Sequence, residues 1–105
     1  MAILLGGPAA ADRHCAPALE RYYAARHAIL TPDTAAGESC ETRVTEAIGR
    51  LADAARAARD CGCEVLEVRL QEVIDRAGSE APCRLRADEV LGSANSLERL
   101  AEACH

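Results

Sequence analysis

Four of the six cysteines fall into two pairs of equal spacing: Cys40 and Cys61 enclose 20 residues, and so do Cys83 and Cys104. Sliding the chain by 43 residues also aligns Arg43 with Arg86, Glu46 with Glu89, Gly49 with Gly92, Arg56 with Arg99 and Ala58 with Ala101. That makes seven identities over 22 positions without a gap, an internal repeat of 40–61 in 83–104. If both copies are helices, the cysteines of each pair lie about 31 Å apart, one at each end. No disulfide closes within such a helix, because bridged Cα atoms lie within about 7 Å. Any bridge must therefore run between segments. Packing the two copies antiparallel predicts Cys40 near Cys104, and Cys61 or Cys63 near Cys83.

The first copy reads strongly as a helix. Val44, Ala47, Ile48, Leu51, Ala55 and Ala58 recur at helical spacing over 39–60. Ser39 suits the N-cap, Glu41 the first turn and Gly62 the stop. In the second copy Cys83, Ala87, Val90, Ala94, Leu97, Ala101 and Cys104 share a face over 83–104, with Pro82 at its start. Arg86 and Ser93 intrude on that face, and Gly92 to Ser96 is where it would bend or break. The pairs Arg43–Glu46 and Arg86–Glu89 read as solvated helix surface, worth a few tenths of a kcal/mol each.

Upstream, Leu19, Tyr22, Tyr23, Arg26 and Leu30 support a helix over about 9–29, with Pro17 interrupting or restarting it. Thr31-Pro32-Asp33-Thr34 and Gly37 then read as a loop. Residues 63–77 are ambiguous. Leu66, Leu70, Val73, Ile74 and Ala77 make a helical face over 64–77, closed by Gly78. Leu66, Val68 and Leu70 also alternate with Glu67 and Arg69, as a strand would. The fold expected is a single all-α domain, a small bundle of about four helices at 9–29, 39–60, 64–77 and 83–104. The alternative is a small α/β domain with strands near 2–5 and 64–70.

Composition bears on how such a bundle is held. The chain has 23 Ala but only 20 Leu, Ile and Val in 105 residues, with no Phe or Trp. Alanine favours helix but adds little apolar volume to a core. A thin core raises the weight of disulfides, metal, a partner or self-association as sources of stability.

The net charge is −5, and the 12 basic residues are all Arg, interleaved with acids. Without a basic run or aromatic platforms, the chain is not expected to bind nucleic acid. It has no polybasic segment for anionic membranes and no apolar run long enough to span one. Met1 to Leu5 is apolar but lacks a basic flank and stops at Gly6-Gly7-Pro8, so the compartment expected is the cytoplasm, where thiols stay reduced.

Cys61-Gly62-Cys63 is the most chemical-looking motif, because glycine lets two thiols turn toward one ion or partner. A site for zinc or copper needs further ligands, and the candidate set is Cys61, Cys63, Cys83 and Cys104. His14-Cys15 and Cys104-His105 read as histidines beside semi-buried cysteines. Gly6-Gly7-Pro8 after an apolar tetrapeptide suggests a phosphate turn only if 2–5 is a strand, and it fits no phosphate-loop pattern. Tyr22-Tyr23 reads as core or interface, and Asp88-Glu89 as helix surface. No histidine sits in a recognisable nucleophile–base arrangement.

The function expected is a small non-enzymatic assembly or adaptor module that binds a protein partner or forms a homo-oligomer through its Ala-rich helix faces. It requires no cofactor. The competing reading is a thiol-based metal-binding or redox-responsive protein. A weaker one is a small α/β enzyme that binds a phosphate-bearing ligand.

Overall fold

Ser39 starts the longest helix as its type predicts: its hydroxyl accepts the Thr42 backbone N–H at 3.2 Å, with Glu41 in the first turn. The structure, a computed structural model, describes residues 15–30 and 39–104, and every regular element among them is a helix. These are α1 (Ala16–Leu30), α2 (Cys40–Asp60), α3 (Glu64–Ala77), α4 (Cys83–Leu91) and α5 (Ala94–Glu102). Pro17 sits in the first turn of α1, where a missing N–H costs no hydrogen bond. Gly62 ends α2 in the left-handed region at φ 78°, as a glycine stop requires.

The segment 64–70 is helical, so the α/β alternative does not hold there. Leu66, Leu70, Val73 and Ala77 form one buried face, while Val65 and Val68 point outward. The 3.6-residue period wins over the short alternation because it buries four side chains on one stripe. The second proposed strand, 2–5, lies outside the described residues, as do the first residues of the helix expected over 9–29 and the Gly6-Gly7-Pro8 turn.

The helix expected over 83–104 is broken into α4 and α5 at Gly92 and Ser93. Ser93 is buried, and its hydroxyl turns back to the Glu89 carbonyl at 2.7 Å. Such back-bonding competes with the helical ladder and bends it. The break lies beside a buried long-range bond, in which the Tyr22 hydroxyl donates to the Val90 carbonyl at 2.6 Å. Val90 stands in the last turn of α4, where carbonyls lack an intrahelical partner. Tyr22 thereby ties α1 to the break.

Short connections make sequential helices antiparallel neighbours. α3 carries the chain back, so α4 and α5 run in the same direction as α2. The two copies of the repeat therefore lie parallel, which corrects the antiparallel packing expected from their spacing. The intervening helix reverses the chain once more than a simple hairpin does.

The largest buried side chains are Tyr22, Leu51, Leu66, Leu70 and Leu97. Around them lie alanines: Ala18, Ala25 and Ala28 on α1, and Ala47, Ala54, Ala55 and Ala58 on α2. α1 and α2 form the most extensive helix pair. Small side chains let their backbones approach closely. The Ala-rich faces are thus buried within the chain.

Candidate functional site

All six cysteines are paired. Cys15 bonds Cys61, Cys40 bonds Cys83 and Cys63 bonds Cys104, with Cα separations of 5.8, 6.2 and 5.7 Å. Parallel copies explain the pattern. Cys40 and Cys83 are equivalent positions in the repeat, and each opens its helix, α2 or α4. At the opposite end, Cys61 caps α2, Cys63 precedes α3 and Cys104 follows α5. Cys15 precedes α1 and joins that end through Cys61, with its backbone in the left-handed region at φ 54°. Side chains rarely adopt that conformation without support, which burial and the bridge provide here.

The four candidate ligands are not brought to one point. Cys83 is bonded at the far end of the bundle, and Cys61 and Cys63 belong to two different disulfides. A disulfide sulfur carries no thiolate, the form that binds zinc or copper. Among the described residues, no group of three or more His, Cys, Asp or Glu is placed to hold a metal ion. The pairing also departs from the reduced thiols expected of a cytoplasmic chain. No helix among the described residues is long and apolar enough to cross a membrane.

Beside the disulfide-rich end, α3 and α5 frame a shallow groove of ≈ 420 Å³. Its lining is Glu64, Val65, Val68, Arg69, Glu72 and Leu100. Val65 and Val68 are each 52% exposed, which is high for β-branched apolar side chains on a helix with a buried face of its own. The rim is charged and hydrogen-bonded. Arg69 donates through Nε to the Ser96 hydroxyl at 3.2 Å and through Nη1 to Glu72 at 3.2 Å.

At the opposite end, Arg86 is the residue that periodicity misassigns. Its side chain is only 11% exposed. The guanidinium donates to the Ala81 carbonyl at 2.8 Å and the Ala77 carbonyl at 3.3 Å, and it pairs with Glu41. It therefore ties the start of α2, the end of α3 and the start of α4 together next to Cys40–Cys83. The signal was its intrusion on the apolar face of 83–104. Glu89, its expected i,i+3 partner, instead pairs with Arg76 at 3.1 Å. Tyr22 is core and Tyr23 is exposed, with the Tyr23 hydroxyl donating to Glu98 on α5.

Comparison with protein-family models, curated proteins and solved structures found no match for this chain.

Proposed function

We propose that this chain is a non-enzymatic helical assembly module of an oxidising compartment, which self-associates through the exposed face of α3. The observation that carries the reading is the pair Val65 and Val68, half exposed and flanked by Glu64 and Arg69. Two valines three residues apart occupy the a and d places of a heptad, and Glu64 and Arg69 the g and e places. When two such helices pack in parallel, g of one faces e of the other, so Glu64 meets the partner copy's Arg69 on both sides of the seam. Glu72, at the next a place, ends the seam. The Ala-rich faces are used inside the fold, and that leaves α3 as the apolar helix face with a charge pattern suited to a second copy. Three disulfides support an oxidising compartment, since glutathione and thioredoxin keep thiols reduced in the cytosol.

The test is sedimentation and native mass spectrometry of the oxidised chain over a concentration series. A concentration-dependent dimer is expected, abolished by Val68→Glu. Glu64→Arg and Arg69→Glu should each be monomeric alone and form a heterodimer when mixed, because mixing restores both opposite-charge pairs. A wild-type monomer at every concentration overturns self-association. A dimer indifferent to Val68→Glu overturns the choice of face, and failure of the two charge variants to combine overturns the parallel pairing.

A further inference from the structure

Two of the three disulfides meet in one three-residue segment, Cys61-Gly62-Cys63. Their sulfurs differ in access. Cys15 is 2% exposed and Cys63 is fully buried, whereas Cys61, like Cys104, Cys40 and Cys83, is part-buried; Cys61 also lines a surface cleft with Pro17, Arg21, Ala57 and Asp60. The Cys15–Cys61 bond is therefore open to attack from the Cys61 side. Arg21 is held in the cleft by its Nη1 bond to the Pro17 carbonyl at 3.1 Å, and its positive charge favours a thiolate arriving there. Asp60 opposes it from the same cleft. In the adjoining groove Asp53 and Arg56 pair with each other.

We propose that Cys61 is a thiol–disulfide exchange site for a dithiol, and that opening Cys15–Cys61 allows Cys61 to bond Cys63 and release Cys104. In the first step a thiolate of the dithiol attacks the Cys61 sulfur. A mixed disulfide forms, the Cys15–Cys61 bond breaks, and Cys15 leaves as a thiolate that takes a proton from water. The second thiolate of the reagent then attacks the reagent's own sulfur in the mixed disulfide. The reagent is oxidised to a disulfide and Cys61 leaves as a thiolate, so two electrons have passed to Cys15 and Cys61. In the last step the Cys61 thiolate attacks the Cys63 sulfur. The Cys63–Cys104 bond breaks and Cys104 leaves as a thiolate, with no net change in oxidation.

The backbone suits this last exchange. Residues two apart lie at most about 7 Å apart, and any turn between them shortens this into the range a disulfide spans. Gly62, left-handed at φ 78°, already turns the chain between the two cysteines. The result exchanges two long-range staples for one local bond. It detaches the start of α1 and the end of α5 while Cys40–Cys83 holds the other end. The same segment is thus a redox-controlled latch, in addition to its role as a staple.

The test uses dithiothreitol as the probe. The oxidised chain is exposed to a limiting amount, quenched with acid, alkylated and mapped by peptide mass spectrometry. Label on Cys15 and Cys104 with Cys61 joined to Cys63 is expected before any label on Cys40 or Cys83, and Arg21→Gln should slow the first label several-fold. First label on Cys40 and Cys83, or no effect of Arg21→Gln, overturns Cys61 as the site of attack. A Cys15→Ser variant tests the exchange step separately. Its one free thiol should map to Cys104, and a free thiol at Cys61 with Cys63–Cys104 intact overturns that step. If the variant does not fold, the wild-type time course decides through the presence or absence of the Cys61–Cys63 bond.

Discussion

Removing the Cys40–Cys83 bond by a Cys40→Ala, Cys83→Ala double change should cost several kcal/mol, nearly all of it through the unfolded chain. The bond spans 43 residues of sequence. A loop of that length gives about 4 kcal/mol of closure entropy at 25 °C. The other two disulfides reduce this, because each offers a second path between points on the loop. Treating those paths as parallel shortens the effective loop to roughly 24 residues and the figure to about 3.5 kcal/mol. Neither cysteine is fully buried, so the cavity left by alanine adds little. The total for a domain of this size is about 5–15 kcal/mol, so the variant should remain folded at 25 °C with much of its margin gone. Urea unfolding of the oxidised proteins measures the loss directly. A larger slope against denaturant should accompany it, because the unfolded variant exposes more surface. A loss below about 1 kcal/mol with an unchanged slope would refute the loop-closure reasoning and the assignment of this bond as the staple of its end.

Tyr22→Phe should cost about 1–3 kcal/mol, since the Val90 carbonyl then lies buried without its donor; thermal unfolding reads this. Burial pushes the Tyr22 phenol up to about 12 from 10.0, with Arg26 opposing, Glu98 adding and Arg69 opposing. A raised value means the folded state favours the neutral phenol. That contribution is complete below pH 10 and is lost as pH rises through about 12, so wild type should lose stability across this window and Tyr22→Phe should lose less. Arg86→Met should cost about 2–3 kcal/mol in urea unfolding by leaving the Ala77 and Ala81 carbonyls without their donor. Glu41→Gln should cost under about 1 kcal/mol, because Glu41 is 65% exposed. Gly62→Ala should cost about 1–2 kcal/mol, because φ there is 78°.

Local signals carried the helical elements. Ser39, Gly62 and Gly78 marked helix ends, and the apolar spacing over 39–60 and 64–77 matched α2 and α3 to within a residue. Ser93 was visible as an intruder on an apolar face, but its back-bond to Glu89 depends on the conformation of the break. Arg86 was visible in the same way. Its partners come from α2, from the end of α3 and from the turn before α4, so no window of local sequence contains them. The exposure of Val65 and Val68 also followed from the wheel of α3, whereas the place of Leu100 beside them did not.

The cysteines divide along the same line. Their equal spacing, and the exclusion of a bond within either helix, were properties of the sequence alone, because helical rise sets the distance between residues on one element. Which cysteine met which was decided by tertiary structure. The reversal through α3 makes the two copies parallel, so equivalent ends meet and Cys40 bonds Cys83 in place of Cys104. Periodicity describes the faces of single helices, and the direction in which they pack depends on how many times the chain turns between them.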